Sequence, residues 1–397
     1  MKIALVTANM RPVPATCGGA TETMLTHLLD VNEEKRQHHF LVYSAYENDA
    51  EKASHTYSAS DFRYYKNNKI DYLSTLPYRA MRKLTFGRTY IKTNYIRWCV
   101  KKIKEDCPDV VIIEGNYFQT LQLKNALTTP LVLHMHIDGL HKKTDNARNI
   151  VSACKGIIVI SDYCRKRVLE IDPSQVSKIH VLKNTIDVAH FNAEGRMLFR
   201  SQFRKAHGIS DKDMVFVYCG RLDDSKGVKE AIQAFAKLKD KNTYMLVMGS
   251  SAYKDGKKTK YVQELERQAE KLEGRVIFTG YISQEELPNY YAVCDISMVP
   301  SKGQEAAGNV TIEALACGLP VIATKQGGIP EYADTNGCVL VDCDENLSEH
   351  LYKAMEDLVQ NKTLYNQKKE NARNIALKYD KYHYYSNFCD LIEEVMN

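Results

Sequence analysis

Short runs of apolar residues recur along the chain, and each is followed by a polar loop and a stretch with helical spacing. The runs are continuous in Val, Ile and Leu, which is typical of strands buried on both faces of a parallel sheet. Strands that alternate with helices favour βαβ units. The pattern therefore predicts an α/β fold with strands at 3–7, 110–113, 131–133, 156–160, 214–218, 244–248, 276–279 and 321–323.

The series of strands pauses between positions 183 and 213 and begins again at Met214. A chain of 397 residues is also longer than a single hydrophobic core usually supports. We therefore predict two α/β domains, 1–190 and 191–378. The remaining residues up to 397 are predicted to be helical, as part of a helical stretch that begins near position 346.

Composition narrows the class of protein. Hydrophobic residues make up 44% and charged residues 26%, as in ordinary globular proteins, and a net charge of only +5 does not indicate nucleic acid as a partner. The eleven cysteines are odd in number and include no Cys-x-x-Cys pair, which favours a reducing cytosol over a disulfide scaffold or a zinc ribbon. No signal peptide and no apolar run of about 18 residues is recognisable. We expect a cytoplasmic protein, or one that touches a membrane from its surface.

The strongest motif is Glu305-Ala-Ala-Gly308-Asn309-Val-Thr-Ile-Glu313-Ala-Leu-Ala-Cys-Gly318-Leu-Pro320. Gly308-Asn309 can begin a short helix, and Gly318 with Pro320 can end it. The free N–H groups of such a helix end suit a diphosphate. Glu305 precedes that end, and Glu313 lies far enough along to reach a hydroxyl-bearing group such as ribose. An ordinary amphipathic helix with one capping and one solvated Glu is the alternative.

A second motif, Tyr218-Cys219-Gly220-Arg221-Leu-Asp-Asp-Ser-Lys226-Gly227, follows a predicted strand. Two cations, Arg221 and Lys226, follow the strand-end Gly220 across a turn. Placed there, they could neutralise the charge that builds on a departing diphosphate, with Arg suited to bidentate contacts and Lys acting as a compact charge. The alternative is a solvated loop with unrelated charges.

Two further features lie at the ends of predicted strands in the first domain. Gly18-Gly19 could let a backbone approach a ligand and offer N–H groups to phosphate, although it is not a dinucleotide fingerprint. His134-Met-His136-Ile-Asp138-Gly-Leu-His141 ends a buried strand, where parallel sheets bind ligands. A metal site is one interpretation, but the His expected directly after Asp138 is replaced by Gly139. A His that bonds a sugar hydroxyl is favoured.

These pieces occur together and in order, and the chain as a whole resembles family 4 of the GT-B glycosyltransferases, a retaining class. The family's E-x7-E pattern matches Glu305 and Glu313. Its Gly-Arg-x4-Lys-Gly segment matches 220–227, its Gly-Gly loop matches 18–19, and its strand-end His falls on His136. Three more segments are similar: Ile160-Ser-Asp162, Asn184-Thr-Ile-Asp187 with Phe191, and Gly327-Gly-Ile-Pro-Glu331.

The resemblance implies two Rossmann-like domains that face each other across a cleft. It implies an acceptor-binding domain at 1–190, a nucleotide-sugar-binding domain at 191–378, and a helix at 379–397 that returns to the first domain. Catalysis would involve His136, Glu305, Arg221 and Lys226. The residues that would bind the donor are Gly18, Gly19, Gly220, Arg221, Lys226, Glu305, Gly308, Asn309 and Glu313.

Within that resemblance, Arg221 and Lys226 would grip the diphosphate, Glu313 the ribose, and Glu305 and His136 the donor sugar. The expected substrate is a nucleotide sugar, such as a UDP-sugar, carrying a hexose or N-acetylhexosamine. The expected acceptor is a saccharide or a lipid-linked saccharide, as in bacterial cell-surface polysaccharide biosynthesis. No cofactor and no metal are expected, and Asp342-Cys-Asp344 is interpreted as a solvated loop despite its D-x-D spacing.

One departure concerns Ala306-Ala307, where the family usually has a small residue and then an aromatic one, so the identity of the sugar stays open. Three rival functions also stay open. A sugar-nucleotide epimerase of similar shape would act without an acceptor. A catalytically inactive partner of a transferase conflicts with the intact set of motif residues. A nicotinamide dehydrogenase conflicts with the missing glycine fingerprint.

The segment 62–104 carries twelve Lys or Arg and one acidic residue, Asp71, together with nine aromatic residues. Cations beside amphipathic aromatic rings are what an interface-binding surface needs. The segment therefore predicts peripheral association with an anionic membrane, where a lipid-linked acceptor would be found. A solvated basic face, or a surface for a phosphorylated soluble acceptor, is the alternative.

Overall fold

The computed structural model of the chain describes residues 1–67, 71, 93–251 and 259–397. The chain divides into two compact units: Met1–Thr185 together with Lys381–Asn397, and Ile186–Asp380. Each unit contains one parallel β-sheet covered by helices.

The strands and helices are numbered in chain order over the described residues. The strands are β1 Lys2–Val6, β2 His39–Ala45, β3 Ser60–Tyr65, β4 Val110–Glu114, β5 Leu131–Met135, β6 Gly156–Val159, β7 Ile179–Val181, β8 Met214–Cys219, β9 Thr243–Met248, β10 Val276–Gly280, β11 Ile296–Val299, β12 Val321–Thr324 and β13 Cys338–Val341. The helices are α1 Ala20–Lys35, α2 Asn48–Ser54, α3 Asn94–Asp106, α4 Thr120–Lys124, α5 Ala147–Ala153, α6 Asp162–Leu169, α7 Met197–Ala206, α8 Val228–Ala236, α9 Lys260–Glu270, α10 Leu287–Val293, α11 Asn309–Ala316, α12 Leu347–Gln360, α13 Lys362–Ala376 and α14 Lys381–Met396.

The first unit has the strand order β3-β2-β1-β4-β5-β6-β7. Its central strands are continuous apolar runs with no exposed residue, because helices cover both faces of the sheet. Helix α14, from the far end of the chain, belongs to this unit. Its Phe388 and Ile392 enter the same core as Leu28 of α1, and the Tyr385 hydroxyl donates to Asn32 Oδ1 at 2.7 Å.

The second unit has the order β10-β9-β8-β11-β12-β13. Successive residues of β8 point to opposite faces, so that Val215 and Val217 belong to one buried cluster while Phe216 and Tyr218 belong to the other. Both clusters contain aliphatic and aromatic residues from the flanking helices. This double burial is what the unbroken apolar run of the sequence predicts.

All eight predicted strands and the helical stretch at the end of the chain are present, and the prediction of an α/β fold is confirmed. Strands β2, β3, β7, β11 and β13 are not among those eight. Strand β7 is only three residues long, and β3 reads Ser-Asp-Phe-Arg-Tyr-Tyr, so neither presents a run of aliphatic residues. No helix in the described part of the chain is long and apolar enough to cross a bilayer.

Candidate functional site

In the second unit, the order in which strands are added to the sheet reverses between β8 and β11. The chain adds β9 and β10 on one side of β8, and then β11, β12 and β13 on the other side. A crevice forms outside the carboxyl ends of the strands at such a point, and ligands of open α/β sheets bind there. The loop after β8 carries Arg221 and Lys226, and the loop after β11 carries Glu305. The two loops are joined through backbone bonds, since the carbonyl oxygen of Ser225 accepts from the N–H groups of Lys302 and Gly303 at 2.8 Å.

Two of the predicted site residues meet directly. Lys226 Nζ contacts Glu305 Oε1 in an ion pair, and the Ser301 hydroxyl donates to the same oxygen at 2.9 Å. Both members of the pair are roughly three-quarters buried. The pair therefore fixes an ammonium group and a carboxylate side by side at the crevice.

Arg221 is placed differently. Its side chain is 60% exposed, and its only ion pair among the described residues is a loose one with Asp223, at 3.7 Å. The backbone beneath it is held firmly, because the buried Tyr218 hydroxyl donates to the Arg221 carbonyl oxygen at 2.7 Å. Arg221 is thus a cation on a fixed loop whose guanidinium group can turn toward an anion.

Helix α11 begins immediately after the loop that carries Glu305. Its N-cap is Gly308, no side chain caps its first N–H groups, and its first turn contains no acidic residue. The positive end of the helix dipole favours an anion at this position. The predicted short helix is therefore present, with Asn309 as its first residue.

Glu313 lies near the end of α11 and has its own partners. Gln284 Nε2 donates to Oε1 at 3.3 Å, and the hydroxyl of the buried Tyr291 lies 3.4 Å from Oε2. Burial raises the pKa of Glu313, and the hydrogen bonds from Gln284 and Tyr291 offset part of the rise. The carboxylate retains capacity to accept further hydrogen bonds, as a ribose would require.

Two glycines make the close approach of these loops possible. Gly327 has φ = 56°, and a Cβ atom there would overlap the backbone of Glu305; the neighbouring Gly328 N–H donates to the Glu305 carbonyl oxygen at 2.7 Å. Gly227 has φ = 69°, and a Cβ atom would overlap the carbonyl oxygen of Pro300. The Gly327-Gly328 segment therefore fixes the backbone position of Glu305.

The first unit has a corresponding point between β1 and β4, where the order in which strands are added to its sheet reverses. At the ends of β4 and β5, Glu114, His134 and His136 form a buried cluster. His136 Nε2 lies 2.7 Å from Glu114 Oε2 in a hydrogen bond. His134 Nδ1 lies 3.1 Å from the same oxygen, without the alignment of a hydrogen bond.

The electrostatics of this cluster put the negative charge on Glu114. Burial raises the pKa of Glu114, but the two imidazole rings outweigh it and the net effect is a lowered pKa. Burial lowers the pKa of His136, with a further decrease from His134, and the hydrogen bond to Glu114 offsets only part of this. An ionised carboxylate therefore faces a neutral His136 ring at neutral pH.

These three residues are also the group, among the described residues, whose metal-ligating atoms lie within 4.8 Å of one another. Two His and one Glu form a recognised zinc ligand set. The 2.7 Å separation of His136 Nε2 and Glu114 Oε2 is that of a hydrogen bond, however. Two ligand atoms on one tetrahedral zinc ion, at about 2.0–2.1 Å from the metal, lie roughly 3.3 Å apart.

Gly18 and Gly19 precede helix α1, with φ = 65° and 116°. The Glu22 carboxylate and the Arg11 side chain fold against Gly19. Glu22 is buried, which raises its pKa, and its own backbone N–H and Arg11 act in the opposite direction. A carboxylate therefore lies where the sequence predicts phosphate, and an anion could bind at this loop only after Glu22 moves or is protonated.

Sequence reasoning missed several residues of these clusters: Glu22, Glu114, Gln284, Tyr291 and Ser301. Glu114 could have been found, because it ends the apolar run Val-Val-Ile-Ile-Glu. His136 was selected for its position at the end of a buried strand, where ligands bind, and Glu114 meets the same criterion. Gln284 and Tyr291 carry no local signal, since only the tertiary fold brings them to Glu313, 29 and 22 positions away in the chain.

The Asp342-Cys-Asp344 segment is a solvated loop, as predicted. Lys325 Nζ pairs with Asp342 at 2.8 Å, and Asp344 accepts from the Asn346 N–H at 2.8 Å and contacts His350 at 3.1 Å. Each carboxylate has its own partner on the surface of the second unit.

The basic segment 62–104 lies largely outside the described residues, including Arg79, Arg82 and Lys83. Within its described part, the aromatic side chains are used for packing. Tyr95 is buried, Trp98 packs against Tyr65 and Tyr43, and the Tyr64 hydroxyl bonds the Val13 carbonyl oxygen at 3.0 Å. These rings do not supply the exposed aromatic anchors that the sequence suggested.

Comparison with known proteins agrees with this arrangement. The profile of the family "Glycosyl transferases group 1" matches residues 199–375, which contain all four motif residues of the second unit. Spore coat protein SA of Bacillus subtilis is 25% identical over 354 residues, with 86% of each chain covered. The lipopolysaccharide 1,2-N-acetylglucosaminetransferase of Salmonella typhimurium is 32% identical over 232 residues, which are 58% of this chain and 57% of the relative.

Solved structures show the same fold over the whole chain. The complex of Anabaena HepE with UDP superimposes with a TM-score of 0.76 at 20% identity, covering 99% of this chain and all of the other. WaaG, a glycosyltransferase involved in lipopolysaccharide biosynthesis, superimposes with a TM-score of 0.63 at 20% identity, covering 98% and 99%. The family match, the named relatives and the two Rossmann-like units together identify the chain as a glycosyltransferase of the GT-B fold.

Proposed function

We propose that the enzyme transfers a hexose or N-acetylhexosamine from a UDP-sugar to a saccharide or lipid-linked saccharide, with retention of anomeric configuration. The observation that carries the proposal is that Lys226, Glu305 and the start of α11 all follow the carboxyl ends of β8 and β11, where the strand order of the second sheet reverses. This grouping offers two cationic features and a carboxylate, which suit a diphosphate joined to a sugar.

The proposed roles follow from charge. Breaking the bond between sugar and nucleotide builds negative charge on the departing diphosphate. Lys226, Arg221 and the N–H groups at the start of α11 would stabilise that charge, because fixed dipoles and cations act strongly where water is excluded. Gly220 would let the β8 loop approach the phosphates. Glu313 would accept hydrogen bonds from the ribose hydroxyls.

The ion pair gives Lys226 and Glu305 a shared role. Held against Glu305, the ammonium group is already fixed in place, so little side-chain freedom remains to be lost when a diphosphate binds. Glu305 keeps its second carboxylate oxygen for a sugar hydroxyl. In the first unit, His136 is proposed to contact the donor sugar, and the Gly18-Gly19 loop is proposed to close on the donor as Glu22 moves away.

UDP as the nucleotide and a cell-surface saccharide as the product are supported by proteins similar to this chain. HepE was solved with UDP and with UDP-glucose, and the Salmonella relative is a lipopolysaccharide N-acetylglucosaminetransferase. We propose a cytoplasmic enzyme that meets its acceptor peripherally at the inner face of a membrane. The exposed Arg97, Lys101 and Lys104 of α3 support this placement.

Retention is supported by the partners of two carboxylates in the motif segments of the second unit, Glu305 and Glu313. An inverting enzyme needs a free general base beside the reacting sugar carbon. Glu305 is engaged by Lys226 and Ser301, and Glu313 by Gln284 and Tyr291. Neither is arranged to deprotonate an acceptor hydroxyl.

The test is incubation of the full chain with a panel of UDP-, GDP- and ADP-sugars, with and without saccharide and lipid-linked acceptors. We expect acceptor-dependent release of UDP and, by NMR, a new glycosidic bond with the donor's anomeric configuration. Turnover of the donor to an epimer without acceptor would instead support the epimerase alternative. An inverted product would refute retention while leaving the transferase assignment intact.

A further inference from the structure

The Glu114, His134 and His136 cluster is costly for the fold. Four of its polar atoms are buried without a hydrogen-bond partner: Glu114 Oε1, His134 Nδ1, His134 Nε2 and His136 Nδ1. Buried polar groups are normally satisfied by hydrogen bonds, and each exception destabilises the fold. Apolar residues at the ends of β4 and β5 would avoid this cost, so the cluster calls for a functional explanation.

The one hydrogen bond that joins Glu114 and His136 has a defined direction. An ionised carboxylate can only accept hydrogen bonds, so the proton between Glu114 Oε2 and His136 Nε2 belongs to the imidazole. In a neutral imidazole, one nitrogen donates and the other accepts. His136 Nδ1 therefore carries a lone pair, and the lowered pKa of His136 keeps it that way near neutrality.

We propose that Glu114 is a positioning residue that holds His136 by its Nε2–H group, so that Nδ1 serves as a hydrogen-bond acceptor for a sugar hydroxyl. This rests on the proposed function, in which His136 contacts the sugar. A carboxylate and the diphosphate of a nucleotide sugar have no proton to donate at neutral pH, so the arrangement selects a neutral hydroxyl. Nδ1 is closed off from solvent in this conformation, and the hydroxyl gains access when surrounding side chains shift.

The groups that influence the proton on His136 can be named. Glu114 of β4 and His134 of β5 face the ring directly. Glu22 of α1 interacts electrostatically with Glu114, and Arg11 with Glu22. Among these, Glu114 supplies the hydrogen bond and the charge that raise the pKa of His136, whereas burial and His134 lower it.

The state of the ring can be measured directly on the wild-type chain. Nitrogen-15 NMR of histidine-labelled protein, assigned with His136→Asn and His134→Asn, reports which ring nitrogen carries the proton. We expect Nε2 of His136 to be protonated and Nδ1 to be bare at pH 7. A proton on Nδ1 alone would overturn the proposal, as would stoichiometric zinc in the purified protein that chelation removes together with activity.

The kinetic arm uses Glu114→Gln, which keeps the side chain's size and removes its charge. We expect kcat to fall tenfold or more with little change in donor KM. The acid limb of the pH–rate profile should move to lower pH, because loss of the carboxylate lowers the pKa of His136 and a neutral ring persists further into acid. Unchanged kcat and an unchanged acid limb in Glu114→Gln would refute the positioning role.

Asp106→Asn is the matched control, because it removes the charge of a different carboxylate of the same unit, one that is partly buried and bonded to Tyr43 and Arg63. We expect it to lower stability without moving the acid limb. If Glu114→Gln fails to fold, the NMR measurement on the wild type still decides the proposal. A wild type that is inert toward every nucleotide sugar would instead refute the proposed function, while the position of the ring proton would remain measurable.

Discussion

Lys226 and Glu305 lie 79 positions apart in the chain, and their side chains meet in an ion pair at the carboxyl ends of β8 and β11. Surface ion pairs contribute little to stability, and this one is only partly buried. Its significance is geometric. The pair holds a cation against Glu305, three residues before Gly308, which is the N-cap of α11.

Lys226→Ala is expected to reduce kcat about a hundredfold, because removal of one preorganised charge from a site of developing charge costs on the order of 3 kcal/mol of barrier. Thermal unfolding should change little. Lys229→Ala is the matched control, since Lys229 lies one helical turn further on and pairs with Glu264 at 3.1 Å. Equal rates for the two variants in steady-state assays would contradict the role of Lys226, and we expect Arg221→Ala to resemble Lys226→Ala.

The proposed contact between Glu313 and the ribose predicts that donor binding depends on pH. Because its pKa is raised by burial, its carboxylate becomes protonated at a higher pH than that of an ordinary Glu. Donor affinity should therefore be complete well above this pKa and be lost as the pH falls through it. Tyr291→Phe removes a hydrogen bond that lowers the pKa of Glu313, so the loss should begin at a higher pH. Calorimetric titration with UDP from pH 5 to 8 measures the affinity of the wild type and of Tyr291→Phe. If affinity depends on pH in the same way in both proteins, the proposed role of Glu313 is contradicted.

Gly327→Ala should destabilise the second unit and impair the site together. The residue would have to adopt φ = 56° and would also overlap the backbone of Glu305. Gly274→Ala separates the two effects, because Gly274 has φ = 78° but a Cβ atom there would point into open space, with nothing within 4 Å. We expect a loss of about 1–2 kcal/mol from left-handed strain alone at Gly274, and a larger loss at Gly327. Denaturant unfolding that ranks the two equally would show that the close approach to Glu305 is relaxed at little cost.

The sequence predicted the fold well, for a physical reason. Buried parallel strands leave continuous apolar runs, and ligand-binding loops follow their carboxyl ends, so the loops that carry Lys226 and Glu305 could be named as candidates. The roles of these residues, and of the two domains as donor and acceptor sites, stay predictions.

Side-chain partners could not be predicted in the same way. Tyr291 reaches Glu313 only because the fold brings together two residues that lie 22 positions apart in the chain. Such contacts depend on the angle and register of helices, which local sequence does not specify. The aromatic residues of α3 illustrate the converse, since Trp98 has the composition of a membrane anchor but packs against Tyr65.

Activity is expected to survive EDTA. Arg221, Lys226 and the start of α11 can balance the charge of a diphosphate, and the carboxylates of Asp342 and Asp344 have their own partners in Lys325 and His350. Initial rates should stay within twofold after treatment with EDTA. Loss of activity that Mg²⁺ or Mn²⁺ restores would show that a divalent ion accompanies the donor. Restoration by Zn²⁺ alone would direct attention to Glu114 and its two His neighbours.

Peripheral binding to an anionic membrane is the last prediction, and its physical basis is the positive charge of segment 62–104. Since the described aromatic residues of segment 62–104 pack inward, binding should depend on its cations and therefore on ionic strength. Each well-placed cation near an anionic leaflet contributes roughly 1 kcal/mol. Reversal of three exposed charges on α3, Arg97, Lys101 and Lys104, should then weaken binding by about a hundredfold or more.

Flotation with anionic and neutral vesicles at low and moderate salt measures this binding. The control reverses three exposed lysines of the other unit, Lys239, Lys271 and Lys362, which changes the net charge equally but leaves α3 intact. If electrostatic attraction were merely a matter of net charge, both triple variants would lose binding to the same extent. A loss confined to the α3 variant would assign the membrane contact to the first unit. Wild-type protein that ignores anionic vesicles at low salt would rule out the membrane contact and leave a soluble saccharide as the acceptor to test.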